Sequence, residues 1–195
     1  MVSIKALTTL AFVTLASAAS IQTRQSGYAD PKSFGGSSLG YFPGNSNGEP
    51  LNIIVTGIGA ADTFSSWYKA IGESLDQEGE IRFAYGEDPD AEGSCLESAI
   101  GGSHFRFWQQ QGTQAWFLAA SREKTIFDHH DIVADGYDLD RDAIVKAATK
   151  SSSYKGKKFI ATVSYVSGLL PSGSDGINHG IALDGRTAVL SVTVS

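Results

Sequence analysis

Apolar residues fall along this chain in short blocks whose spacing switches between the helical and the extended period. "LNIIVTG", Leu51 to Gly57, is a continuous β-branched run ended by glycine, the pattern of a buried strand. Just beyond it Phe64, Trp67, Tyr68 and Ile71 recur at helical spacing, and Asp62 supplies an N-cap for a helix ending near Gly72. "GSHFRFW" and "AWFLAAS" flank "QQQGTQ" and predict two strands joined by a hairpin turning at Gly112-Thr113. Ile144, Val145 and Ala148 predict a helix over Arg141 to Lys150. "KKFIATVSYV" predicts another strand, "GLLPSGSDGINHG" a turn-rich loop, and "TAVLSVTV" a closing strand with period-two alternation. Glu73 to Gly93 is acidic and irregular, with a short strand at "IRFAY". The order β-α-β-β-α-β-β predicts an α+β domain. Its sheet is expected to be mainly antiparallel with helices on one face, a ferredoxin-like variant.

The N-terminus has a different character. Lys5, the apolar run Ala6 to Leu15 and the small residues Ala16-Ser17-Ala18 form a secretory leader pattern, which predicts a signal peptide over 1–18. Residues 19–50 form a Gly/Ser-rich polar arm whose aromatics, Tyr28, Phe34, Tyr41 and Phe42, are spaced to pin it to the body. Residues 51–195 then make a single domain, secreted and extracellular. No later apolar run approaches the roughly 18 residues of a membrane helix.

Composition narrows the partners. The chain of 195 residues carries 15 basic and 21 acidic residues, a net charge of −6, and its basic residues are scattered. That excludes a nucleic-acid backbone as the natural ligand. Cys95 is the single cysteine, so no internal disulfide staples the fold. No cofactor is legible.

Candidate chemistry gathers in two segments. In the strand "SHFRFW" alternation puts His104, Arg106 and Trp108 on one face, with Phe105 and Phe107 on the core side. Counting back from the hairpin turn pairs Arg106 with Ala119 and His104 with Ser121. These small partners leave room for a planar guanidinium beside an imidazole, a geometry for holding an anion. The second segment, "DHHDIVADGYDLDRD" from Asp128 to Asp142, holds two of the four histidines and six aspartates. His129 and His130 are adjacent, a poor arrangement for chelating one metal. Asp138, Asp140 and Asp142 echo a calcium loop, but Ala143 stands where the loop needs glycine. Asp138 or Asp140 instead reads as a helix cap. Neither segment carries a metal motif. "GIGAAD", Gly57 to Asp62, imitates a dinucleotide fingerprint, but Asp62 puts a carboxylate where a phosphate would sit, so it reads as a turn needing positive φ. His179, between turn residues in "GINHG", is a surface histidine by default and a further site member at most.

"SHFRFW", "AWFLAAS", "HHDI" and "YDLDRD", in this order, resemble the LssY carboxy-terminal domain, found at the end of some bacterial membrane phosphatase-like proteins. "CLES.IGG.HFR.W" and "GLLP.GS.GINH" extend the resemblance to small secreted fungal proteins, over roughly Leu51 to Ser195. The likeness implies a site at His104, Arg106, Trp108, His129, His130, Asp138, Arg141 and Asp142. It departs at Asp131, which intervenes between the His pair and Ile132. It does not imply lipid-phosphatase chemistry, which belongs to the membrane part of those proteins.

Three functions fit these residues. The first is a secreted module binding a small anionic ligand or a protein partner through a His/Arg/Trp face, with Arg106, Trp108, His129, Asp138 and Arg141 as ligand-binding residues. The second is a secreted hydrolase of phosphate or other anionic esters, with His104, His130 and Asp142 as catalytic residues. The third is a buried His/Arg/Asp network that only fixes the fold.

Overall fold

The computed structural model describes residues 27–34, 38–39, 48–72, 101–110, 112–129 and 131–195. The expected leader, most of the arm, "IRFAY", Cys95 and His130 lie outside the described residues. The described chain forms a mixed α+β domain. In order, it runs through α1 (Pro31–Phe34), β1 (Ser38–Leu39), β2 (Glu49–Pro50), β3 (Ile53–Thr56) and α2 (Ala61–Gly72). There follow β4 (Gly102–Gln109), β5 (Trp116–Glu123), a short 3-10 turn, α3 (Gly136–Ala148), β6 (Ser152–Tyr154), β7 (Lys157–Ser167), a second 3-10 turn and β8 (Arg186–Val194).

β1 and β2 form a small antiparallel pair, and the other six strands form one sheet in the order β4-β5-β3-β8-β7-β6. Every neighbouring pair in that sheet is antiparallel except β3 with β8. This order departs from the ferredoxin-like expectation, because the closing strand enters the middle of the sheet. There β8 takes its backbone hydrogen bonds from β3 on one side and β7 on the other. That central place explains its burial: Thr187, Ala188, Val189 and Leu190 are all inaccessible.

Both longer helices cover the same face. Phe64, Trp67, Tyr68 and Ile71 of α2, with Ile144, Val145 and Ala148 of α3, pack on Ile53, Val55, Phe105, Leu118, Leu190 and Val192. Phe64 stacks on Trp116 at 4.3 Å between ring centroids, and Phe107 completes an aromatic layer at 5.0 Å from Phe64. This apolar burial is the main force holding helices to sheet. The opposite face carries a smaller apolar cluster of Leu51, Ile54, Ala115, Phe117 and Val189, against which Tyr28 and Trp108 pack. The Tyr28 part of the arm is therefore pinned to the body, and Ala29 exchanges hydrogen bonds of 2.8 and 2.9 Å with the Gln110 amide.

Two glycines set the connections. Gly57 has φ +87°, and a Cβ there would stand 2.2 Å from the Val192 carbonyl oxygen, so the turn of "GIGAAD" serves close packing. Asp62 lies inside the first turn of α2, where its carboxylate accepts from the Thr63 N–H at 2.8 Å. α3 starts earlier than its apolar spacing suggests, at Gly136. A Cβ on Gly136 would stand 2.4 Å from Ile132 Cγ2 and 2.9 Å from the Arg122 carbonyl oxygen. Asp135 is the residue preceding this helix, in a left-handed conformation and without a side-chain cap bond. Asp138 and Asp140 therefore lie inside α3 and cap nothing.

Candidate functional site

The β4–β5 register is the one obtained by counting: His104 faces Ser121 and Arg106 faces Ala119. His104 and Arg106 thus stand two residues apart on the face away from α2 and α3. Each is held by its own carboxylate. His104 Nδ1 lies 3.0 Å from Glu123 Oε1, and Arg106 Nη1 lies 3.3 Å from Glu49 Oε1. All four side chains are mostly buried, from 10% exposed at His104 to 20% at Arg106. Glu123 is the diagonal neighbour of His104 across the ladder, within ordinary cross-strand reach.

Glu49 comes from the arm, and the backbone fixes its place. β2 pairs with β1 on one side. On the other, Gly48 N–H donates to the Gly176 carbonyl at 3.1 Å and Asn178 N–H donates to the Gly48 carbonyl at 3.0 Å. The "GINHG" loop is thereby brought against Glu49, and His179, at φ +57°, enters its electrostatic surroundings. Burial pushes the Glu49 carboxyl up, opposed by Arg106, His104 and His179 and assisted by Glu123. Tyr137, in the first turn of α3, is inaccessible. Burial raises its phenol well above the ordinary range, with the Glu49 charge adding to the effect, and its O–H donates to the Asn178 carbonyl at 3.4 Å. Six titratable groups from five parts of the chain therefore share one region: Glu49, His104, Arg106, Glu123, Tyr137 and His179.

Trp108 lies beyond Arg106 on the same face, half-buried, with its ring edge-on to Phe117 at 5.9 Å. The Asn52 amide ties this side of the sheet to α3. It exchanges hydrogen bonds of 2.8 and 2.9 Å with the Ala120 backbone and donates to the Tyr137 carbonyl at 2.9 Å.

The remaining residues of the acidic segment go elsewhere. Arg141, only 1% exposed, is wrapped by carboxylates. Its Nε donates to Asp142 at 2.9 Å, Nη1 to Asp138 at 2.9 Å and Asp184 at 2.7 Å, and Nη2 to Asp184 at 3.0 Å. Asp138 also accepts from the Asp184 N–H at 2.8 Å. The guanidinium is consumed by the protein itself, so Asp138, Arg141 and Asp142 pin the start of α3 to the β7–β8 connection. None of these contacts reaches His104 or Arg106. His129 is exposed at φ +60° next to the first 3-10 turn, and among the described residues no hydrogen bond or ion pair joins it to the His104 face. His130 lies outside the described residues, so of the two expected walls one is in view.

Asp140 is a further group of interest. It is fully inaccessible, and its Oδ2 accepts from the Ser103 hydroxyl at 2.7 Å. Oδ1 is 3.4 Å from Arg122 Nη2 yet has no hydrogen-bond partner among the described residues, because that contact is close without being aligned. Burial pushes its carboxyl up to about 7, against the Ser103 hydrogen bond and the charges of Arg122 and His104.

Glu49 and Glu123 did not figure among the candidate residues. Glu123 was within reach of the same alternation that gives His104 and Ser121. Glu49 had no local signal. Among the described residues no group of three or more His, Cys, Asp and Glu side chains is placed to hold a metal ion, and no helix is long and apolar enough to cross a membrane.

The fold and site define an α+β domain with a mostly buried, carboxylate-braced His/Arg pair on the sheet face away from α2 and α3. No protein family, curated protein or solved structure matches the chain.

Proposed function

We propose that the His104–Arg106 face binds a small anionic ligand, with Arg106 as the planar fork, His104 as its neighbouring donor and Trp108 as the flanking ring. The observation that carries this reading is that the imidazole and the guanidinium stand side by side on one strand face, each oriented by a separate carboxylate. Side chains held in advance lose less entropy on binding than free ones. Small residues, Ala119 and Ser121, stand opposite them. Isothermal titration calorimetry of the full chain against phosphate, sulfate, dicarboxylates and sugar acids tests it. Binding to at least one class, lost in Arg106→Met and retained in His129→Ala, is the expected result. No heat with any class in the wild type rejects the reading.

The His104–Glu123 pair also favours a second reading, hydrolysis of an anionic ester. A carboxylate on Nδ1 favours the tautomer whose basic lone pair is on Nε2. Turnover of phosphoester or carboxylester substrates, with loss in His104→Asn, would establish it. The compensated charge of Arg106 and Glu49 favours a third, a network that only stabilises the fold, for which every variant loses stability and no ligand binds. Kinship with the LssY carboxy-terminal domain, the sheet as a ferredoxin-like variant with additions and export through the leader pattern at 1–18 belong to the same proposal. They rest on the ordered motifs around His104 and on Lys5 to Ala18.

A further inference from the structure

The His104–Arg106 face differs from an ordinary anion site in one respect: it contains two carboxylates. Arg106 is joined to Glu49 at 3.3 Å and His104 to Glu123 at 3.0 Å, with all four side chains mostly withdrawn from water. An oxyanion entering here meets an Arg106 charge already matched by Glu49 and an imidazole already held by Glu123. It must also lie beside a carboxylate oxygen, and two anionic oxygens in contact in a partly dry site repel strongly. A proton between them converts that contact into a short charge-assisted hydrogen bond.

Resting on the anion-binding reading above, we propose that Glu49 is the specificity-determining residue of this face and selects an oxyanion that carries its own acidic proton. The ligand class is hydrogen phosphate or a phosphomonoester in its protonated form. A P–OH group donates to the Glu49 carboxylate while the other phosphate oxygens accept from Arg106 and from the Nε2–H of His104 in its doubly protonated form. Sulfate has the same shape and no proton at neutral pH, so it leaves Glu49 facing an anionic oxygen. Discrimination against it comes from that unmatched contact rather than from any difference in size.

The surroundings of Glu49 favour one shared proton. Arg106 and His104 approach it from β4, Glu123 from β5 and His179 from the "GINHG" loop, while the Tyr137 phenol on α3 directs its hydrogen bond to the Asn178 carbonyl. The Glu49 carboxyl is already pushed up, chiefly by burial. Sulfate, bringing no proton, requires Glu49 to be protonated first, and it gains affinity as the solution is acidified.

Calorimetric titration of the full chain with phosphate and with sulfate, at pH 7.5 and pH 5, in wild type and Glu49→Gln, tests the assignment. The expected result is phosphate binding at pH 7.5 with sulfate at least about tenfold weaker, equivalent to about 1.4 kcal/mol. The gap narrows at pH 5 and closes in Glu49→Gln, whose amide donates to either anion. Equal affinity of the two anions for wild type at pH 7.5 overturns the role of Glu49 and leaves anion binding standing. A gap that survives unchanged in Glu49→Gln overturns it equally. Absence of binding by either anion, at both pH values and in both proteins, overturns the phosphate assignment, and the anion site falls with it if dicarboxylates and sugar acids also fail to bind. Should Glu49→Gln not fold, the wild-type sulfate series decides: affinity that does not rise on acidification overturns the assignment.

Discussion

His104 Nδ1 meets Glu123 Oε1 at 3.0 Å diagonally across the β4–β5 ladder, and this contact fixes which nitrogen of the ring carries its proton. The imidazole is therefore aimed, and removing either partner strands the other in a mostly dry place. His104→Ala should destabilise the domain by about 1–3 kcal/mol, read from urea unfolding. Glu123→Gln, which still accepts the ring proton, should lose less than half of that. Equal losses in both variants would show that the charge of Glu123, rather than its hydrogen bond, carries the contact.

The Asp140 carboxyl gives the fold a pH dependence of unusual sign. Its folded value, about 7, lies above the ordinary one, so the folded protein binds the extra proton between those values. Stability should fall as pH rises from about 4 to about 7, where most native carboxylates would act in the opposite direction. Asp140→Asn keeps an acceptor for Ser103 and removes the charge. It should flatten the slope and be more stable than wild type at pH 8 by roughly 2–4 kcal/mol, measured by chemical denaturation across pH.

Arg141 has the contrary effect. Burial raises the Asp184 carboxyl, but hydrogen bonds from Arg141 and Arg186 outweigh it and hold the group well below the usual carboxylate range. That contribution is present above the ordinary carboxylate value and is lost as pH falls through the folded value. Arg141→Met leaves three aspartates around a vacated centre and should cost about 3–5 kcal/mol at neutral pH. Thermal melts from pH 2 to 7 should show the variant losing less of its remaining stability on acidification than wild type.

Gly57→Ala should be severe. The backbone is at φ +87° and the new methyl would meet the Val192 carbonyl oxygen at 2.2 Å. Gly112, at φ +86° with nothing within 4 Å, is the natural control. Its alanine variant should lose about 1 kcal/mol in denaturant titrations, and Gly57→Ala at least twice as much.

How far the sequence foretold this molecule depended on the distance between partners. Alternation along β4 and β5 was enough to pair Arg106 with Ala119 and His104 with Ser121, because a hairpin register follows from its turn. The apolar spacing of α2 gave its buried face directly. Two features had no local cause. Glu49 reaches Arg106 from a two-residue strand in a segment rich in glycine, serine and asparagine, where no periodicity marks it. Asp184 reaches Arg141 across 43 positions of chain. The aspartates at 138 and 142 were expected to serve a ligand or a reaction, but both accept hydrogen bonds from their own neighbour Arg141. Likewise "TAVLSVTV" announced a strand without announcing its position, since a parallel partner such as β3 is chosen by the whole sheet and not by the strand.

That position has a consequence for how the chain is made. β8 pairs Ala188 with Ile53 on one side and Tyr165 on the other, so it joins the β4-β5-β3 half of the sheet to the β7-β6 half. Before Arg186–Val194 is synthesised, α2 and α3 can already pack on the first half, but among the described residues no strand ladder joins the two halves of the sheet. Completion of the six-stranded sheet therefore waits for β8, a step governed by long-range pairing.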